Sequence, residues 1–264
     1  MILDPSNPIN LAHPDNAGLR LCLLAHPSFT GGQFWLDAMG QNLGSALTLG
    51  SASALPNWQA NRVSIGSGNY IATPLSNFTG SGTVIWEMTP ATSYNDGSIR
   101  GIWGQTNVIS VPEFTAQKYS DNNFYIGWNG VSGDQRVTLT ATAYQAGVPV
   151  RYAFTWVNGG VSKLYANGLQ IGANGGTTNT TNIGFNWNYG RQGSLGNGLG
   201  LFGELRIYNQ SLSADAVARD YEWWRVPERD PRLNYIQRRF WSTAAVTPIT
   251  TFTPAFQPSF WGVA

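Results

Sequence analysis

The sequence predicts an all-β fold: a two-sheet antiparallel jelly-roll sandwich with an N-terminal arm and an extended C-terminal tail. Three observations lead there. Short apolar and aromatic runs recur from Tyr70 to Tyr208, each bounded by Gly, Asn, Asp or Ser. The chain holds 31 glycines, which suit frequent turns between short strands. Neither an internal repeat nor a helical heptad is present to compete with that reading.

The elements follow in order. Residues 1–18 are rich in Pro and Asn and read as the extended arm. Strands are expected at Leu19–Leu24 and Gln33–Leu36, then at Thr83–Met88, Ser98–Gly104, Asn123–Trp128, Val137–Thr142 and Val150–Trp156. Turn residues separate them, as at Asn95-Asp96-Gly97, Asn129-Gly130 and Asn158-Gly159-Gly160. Lys163–Ala166 and Leu169–Ile171 flank Asn167-Gly168. Asn-Gly between apolar runs is a strong hairpin signal, because both residues tolerate positive φ. Thr181–Phe185 and Leu201–Tyr208 complete the strands. In the last, Phe202, Glu204, Arg206 and Tyr208 alternate with Leu201, Gly203, Leu205 and Ile207. A short helix is expected over Ala214–Tyr221, with Ser213 as its N-cap and Asp215 at the positive end of its dipole. The sandwich therefore occupies 19–221. Residues 222–264 form an Arg-rich segment and an aromatic tail.

Two stretches carry a family resemblance. Leu164-Tyr165-Ala166-Asn167-Gly168, and Gly203-Glu204-Leu205-Arg206-Ile207-Tyr208-Asn209 with Leu212-Ser213, resemble the hairpin and the strand-plus-helix of the laminin-G-like, concanavalin A-like lectin and glucanase superfamily. Gly203 stands where that pattern usually has Asp. Asn69-Tyr70-Ile71, Phe78-Thr79 and Thr83-Val84-Ile85-Trp86 resemble an earlier pair of strands in the family. Asn16-Ala17-Gly18-Leu19 and Asp37-Ala38-Met39-Gly40-Gln41-Asn42 are similar to the start of such domains in phage and environmental sequences. The resemblance covers roughly residues 10–221. It implies the sandwich fold and does not choose a ligand, since one fold hosts many functions.

Composition narrows the function classes. Charged residues make up 11% of the chain and the net charge is +1, so no global attraction to nucleic acid or membrane is expected. No apolar run approaches the ~20 residues that span a bilayer. Met1-Ile2-Leu3-Asp4-Pro5 lacks the basic and apolar regions of a signal peptide, so synthesis in a reducing cytosol is expected. Cys22 is the single cysteine and reads as a small buried hydrophobe.

Catalytic patterns are sparse. Glucanases of the resembled family pair carboxylates on one strand, because acid and nucleophile need a fixed separation. Here Glu87 stands alone on its strand, and Glu204 is two residues from Arg206, which places a same-face ion pair. His13 and His26 each precede a Pro, without metal-ligand companions. No cofactor is expected. Asp96, Asp121 and Asp134 are the loop carboxylates that a structural calcium ion would use, although no loop gathers several acids. Trp58, Trp103, Trp128 and Trp187 are candidate exposed rings. Trp187 and Tyr189 could stack on carbohydrate; the competing reading is that such aromatics fill the core.

The tail is the second distinctive feature. Residues 240–264 contain no charged side chain, yet carry Phe240, Trp241, Phe252, Phe256, Phe260 and Trp261 just after Arg238 and Arg239. Such a segment must pack somewhere, on its own sandwich or on a partner. The leading expectation is a non-enzymatic phage virion protein, made in the host cytoplasm. It would be a capsid decoration or surface protein that self-associates and binds the major capsid protein through its terminal extensions. The alternative is a carbohydrate-binding, lectin-like module of a receptor-binding or cell-surface protein.

Overall fold

The computed structural model describes residues 16–23, 30–31, 34–35, 57–59, 62–66, 70–73, 80–105, 113–129, 136–176, 187–192 and 196–229. The first strands are β1 (Leu19–Leu23), β2 (Thr30–Gly31), β3 (Phe34–Trp35), β4 (Asn57–Gln59), β5 (Arg62–Ile65) and β6 (Ile71–Thr73). Next come β7 (Gly82–Pro90), β8 (Arg100–Gln105), β9 (Glu113–Lys118), β10 (Asn123–Asn129), β11 (Val137–Thr140) and β12 (Val150–Trp156). The last are β13 (Ser162–Ala166), β14 (Leu169–Ile171), β15 (Trp187–Tyr189), β16 (Arg191–Gln192), β17 (Gly196–Asn197) and β18 (Gly200–Tyr208), followed by helix α1 (Ala214–Arg229).

Two antiparallel sheets form the sandwich. One has eight strands in the order β14-β13-β12-β7-β18-β5-β4, with β1 also paired to β18. The other has six, in the order β11-β10-β9-β8-β15-β6. The predicted all-β jelly-roll sandwich is therefore what the chain forms. Expected strands recur within a residue or two, and the Asn167-Gly168 hairpin has φ of 51° and 80°. The expected strand at 181–185, the arm at 1–15 and the tail at 240–264 lie outside the described residues. The strand at 71–73 falls at the end of Asn69-Tyr70-Ile71, where the family resemblance places one, whereas the short strands at 57–59, 62–65, 113–118 and 187–189 were not expected.

The core between the sheets is aromatic. Trp86 of β7 meets Trp103 of β8 edge-on, with ring centroids 5.6 Å apart, and stacks on Tyr152 of β12 at 5.2 Å. Phe114 packs against Trp103 and Trp156 at 5.0 and 5.2 Å. Such pairs each contribute about 0.5–1.5 kcal/mol beyond their buried area. Trp103, expected among exposed rings, is fully buried here, because β8 is an interior strand and its register puts residue 103 on the inner face.

Strand β18 departs from strict alternation. A bulge between Phe202 and Leu205 puts Phe202, Leu205 and Ile207 on the core face together, so Phe202 does not share a face with Glu204 as alternation alone predicts. Gly203 sits in that bulge. A Cβ there would lie 2.5 Å from the Glu87 carboxylate carbon, which explains Gly at this position.

Helix α1 lies on the outer face of the eight-stranded sheet. Ser213 caps it, its hydroxyl accepting the Ala216 N–H at 3.2 Å, as expected from sequence. The helix runs eight residues past the predicted end at Tyr221, because its later turns have docking partners. Trp224 Nε1 donates to Glu87 Oε2 at 2.9 Å, and Arg225 pairs with Glu222 at 2.6 Å.

Beneath it lies a buried charge network. Arg151 Nε donates to Asp220 Oδ2 at 2.8 Å and its Nη2 reaches Glu204 Oε1 at 3.4 Å. Arg206 pairs with Glu204, as its spacing predicts, and donates to Asp220 Oδ1 at 3.3 Å. Arg62 Nε donates to Glu87 Oε1 at 2.5 Å. Three guanidinium groups thus face three carboxylates, which lets a charged surface be covered.

Two stability outcomes follow. Arg151→Met leaves the buried Asp220 and Glu204 carboxylates with Arg206 as their one remaining guanidinium among the described contacts and should lower unfolding free energy by about 3 kcal/mol in urea melts. Gly203→Ala should cost about 1–3 kcal/mol by overpacking against Glu87.

Candidate outer-face site

Both faces of the central strands of the eight-stranded sheet are occupied, one by the core and one by α1. The outer face of the six-stranded sheet presents a different chemistry. Alternation identifies its residues. On β9, Phe114 and Ala116 enter the core, so Thr115 and Gln117 face outward. On β10, Phe124 and Ile126 enter the core, so Asn123 and Tyr125 face outward. On β11, Val137 and Leu139 point inward, leaving Thr138 and Thr140 outward. Tyr189 of β15 belongs to the core, so Asn188 faces outward.

Pairing lines these residues into rows. Gln117, Tyr125 and Thr138 are direct cross-strand neighbours, and Asn123 lies opposite Thr140. Asn188, Gly104, Thr115 and Gly127 form a second row. The first row ends in an aromatic corner. Tyr119 is 37% exposed and meets Tyr125 edge-on at 5.8 Å. The Arg136 guanidinium lies 4.6 Å over the Tyr125 ring.

Asp121 organises that corner. It accepts the Tyr125 hydroxyl at 2.6 Å, the Asn123 N–H at 3.1 Å and the Asn123 side-chain amide at 3.2 Å. The Tyr125 bond, followed by the Asn123 bonds, holds the Asp121 carboxyl below its ordinary range despite the opposing effect of desolvation. The same bond raises the Tyr125 hydroxyl. The result is a fixed array of amide, hydroxyl and ring surfaces.

Two amide oxygens on this face, Gln117 Oε1 and Asn188 Oδ1, find no hydrogen-bond partner among the described residues. Gln117 is 5% exposed and Asn188 3%. Both oxygens are covered by the chain itself, so the accessible part of this face is the corner formed by Tyr119, Asn123, Thr138 and Thr140.

The sequence-predicted site residues fare unevenly. Tyr189 is not a sugar platform: its ring is fully buried against Phe202 at 5.0 Å and its hydroxyl donates to the Glu87 carbonyl at 2.8 Å. Pairing of β15 with both β6 and β8 turns it into the core, and burial pushes its hydroxyl well above the usual tyrosine range. Trp187 lies on the same strand, and its side chain is outside the described residues, as are those of Trp58 and Trp128. Arg238, Arg239, Phe240, Trp241, Phe252, Phe256, Phe260 and Trp261 also lie outside them. Asn188, beside Trp187 and Tyr189 in the stretch read as a candidate carbohydrate loop, faces outward but is buried, whereas Tyr119, Gln117 and Asn123 were missed. Their signal is the alternation of Gln117 and Thr115 with Phe114 and Ala116, which small Ala116 blurs.

The carboxylates considered for calcium have other partners. Asp96 is engaged by Lys118 and by Arg100, whose Nη2 lies 2.7 Å away. Burial raises its carboxyl, but Lys118, the Ser98 N–H and Arg100 outweigh this and hold it far below the usual carboxylate range. Asp121 is bound by Tyr125 and Asn123, and Asp134 lies outside the described residues. Among the described residues no three His, Cys, Asp or Glu side chains gather as a metal site.

An all-β sandwich with this strand order is a lectin-like fold. The chain belongs to the concanavalin A-like lectin/glucanases superfamily, whose laminin-G-type family model matches residues 65–218. No curated protein matches the chain. Among solved structures, it is similar to the Trypanosoma rangeli sialidase, with 12% identity, a TM-score of 0.57, and coverage of 78% of this chain and 32% of that one. It is also similar to the receptor binding domain of botulinum neurotoxin D, with 14% identity, a TM-score of 0.57, and coverage of 79% and 53%. A mutant of HCR/D gives a TM-score of 0.59 at 13% identity, covering 78% and 51%. The chain thus spans about a third of the sialidase and about half of the neurotoxin domain. These likenesses concern the fold, which serves an enzyme and a receptor-binding domain alike.

The Asp96 geometry sets a pH outcome. A depressed folded-state carboxyl contributes stability that is full above its unfolded value and is lost as pH falls through the folded one. Asp96→Asn should therefore destabilise the protein at pH 7. It should also flatten the part of the stability-versus-pH curve that falls below the ordinary carboxylate value of 3.8, read by thermal melts across acid pH.

Proposed function

We propose that this protein is a non-enzymatic carbohydrate-binding domain whose ligand lies on the outer face of the six-stranded sheet. The observation that carries this reading is the row Gln117–Tyr125–Thr138 beside the exposed ring of Tyr119. A sugar offers hydroxyl donors and acceptors on its edges and C–H groups on its faces. Tyr119 supplies a ring for the faces, and Asn123, Thr138 and Thr140 supply an amide and hydroxyls for the edges. Asp121 fixes Asn123 and Tyr125 in advance, which reduces the ordering cost of binding. Membership of a lectin-like superfamily supports the same reading.

A non-enzymatic role is supported by how the buried acids are used. Glu87 and Glu204 are held by Arg62, Arg151 and Arg206 beneath α1, on the opposite side of the molecule from the proposed site. An acid–nucleophile pair would need to flank a bound glycosidic bond.

A second reading keeps the virion: the domain is a surface or decoration protein of a phage particle, attached through its terminal extensions. Its support is the uncharged, aromatic composition of residues 240–264. Particles assembled with a chain lacking 240–264 should then lose the protein, measured by its band in purified particles. Full incorporation would contradict this reading.

Glycan-array screening tests the first reading. Reproducible sugar binding is expected, and Tyr119→Ala should weaken it about tenfold by removing the stacking surface. The melting temperature should stay unchanged because the ring is exposed. Unaltered binding by Tyr119→Ala would contradict this placement of the ligand.

A further inference from the structure

We infer that Asn158, in the hairpin that joins β12 to β13, is a site of spontaneous modification, where the Gly159 backbone nitrogen closes on the Asn158 side chain and leaves a new carboxylate. The inference is independent of the glycan-binding reading. Its basis is how differently the fold treats its Asn-Gly pairs. Among the described residues four occur: Asn158-Gly159, Asn167-Gly168, Asn174-Gly175 and Asn197-Gly198. Glycine carries no Cβ, so the backbone nitrogen that follows the asparagine is open to the side-chain carbonyl carbon. The reaction needs that nitrogen out of hydrogen bonds and room for the side chain to turn onto it.

Three of the pairs are held. Gly175 N–H donates to the Ser162 carbonyl at 2.9 Å and Gly198 N–H to the Gly190 carbonyl at 2.8 Å, so both nitrogens are engaged. Asn167 is clamped from both ends: its Oδ1 accepts the Arg151 N–H at 3.0 Å, and its own N–H donates to the Arg151 carbonyl at 2.7 Å. Asn158 differs. It is exposed, as are Val157 and Gly159. Gly159 makes no hydrogen bond among the described residues, and a Cβ placed on it would meet nothing within 4 Å. The hairpin bonds fall on its neighbours instead: Asn158 N–H donates to Ser81 Oγ at 3.1 Å, and Gly160 N–H to the Val157 carbonyl at 2.8 Å. The chemistry balances with water alone. A base takes the Gly159 N–H proton, the nitrogen attacks Asn158 Cγ, and Nδ2 leaves as ammonia to give a succinimide. Water then opens either ring carbonyl to give aspartate or isoaspartate. Both products place a negative charge between the exposed side chains of Val157 and Val161, and isoaspartate also adds a methylene to the main chain of the hairpin.

Storage of the full chain at mildly alkaline pH, followed by tryptic mapping and isoaspartyl-specific methylation, tests this. Cleavage after Arg151, Lys163, Arg191 and Arg206 isolates Asn158 in peptide 152–163, Asn167 with Asn174 in 164–191, and Asn197 in 192–206. The methyl label, and the mass change from amide to acid, should appear in 152–163 about tenfold faster than in the other two, whose sites must first give up hydrogen bonds. In the urea-unfolded chain the three peptides should convert at similar rates, because those bonds are gone. Gly159→Ala shields the attacking nitrogen and should slow conversion in 152–163 about tenfold. Equal rates in the folded chain, an earlier label in 164–191 or 192–206, a lead for 152–163 that persists in urea, or a Gly159→Ala variant that converts like the parent would overturn the inference.

Discussion

The structure depends on burying the central strands β7, β12 and β18 on both faces. Their inner faces carry Trp86, Tyr152, Phe154 and Leu205, which the six-stranded sheet covers without difficulty. Their outer faces carry Glu87, Arg151, Glu204 and Arg206, which nothing apolar can cover. Asp220 on α1 resolves this. It is the third carboxylate against three guanidinium groups, and it arrives on helix α1, which packs over the sheet. Such a network adds little to net stability compared with an apolar interface, but it fixes which helix docks and where.

Several local features follow from that constraint. Gly203 is small because the Glu87 carboxylate needs the space, and the bulge there lets Phe202 remain in the core while Glu204 faces α1. The helix extends past Tyr221 because Trp224 completes the coordination of Glu87. With one sheet closed by α1, polar side chains are arrayed on the outer face of the other, and the proposed ligand site falls there. The fold's similarity to both an enzyme and a receptor-binding domain fits a scaffold whose function is set by the residues on such a face.

Much of the fold was legible from sequence where local chemistry is strong. Asn167-Gly168 demanded a hairpin, Ser213 a helix start, and the two-residue spacing of Glu204 and Arg206 an ion pair. Long-range pairing was not legible. Tyr189 reads as a loop aromatic until β6 and β8 close on either side of its strand and turn it inward. Trp103 is buried by the same register. The strand at 113–118 escaped because Ala116 is too small to mark an inward position, and with it went Gln117 and the outward row of the candidate site. The partners of Arg151, drawn from residues 204 and 220, likewise depend on tertiary contacts that no local pattern encodes.

Backbone amide shifts of isotope-labelled protein, followed by NMR as a binding oligosaccharide is added, test the placement of the site most directly. The account predicts perturbations concentrated at Tyr119, Asn123, Tyr125, Thr138 and Thr140, with little change along α1. Perturbations centred on α1 and the outer face of the eight-stranded sheet, with the six-stranded sheet silent, would contradict it.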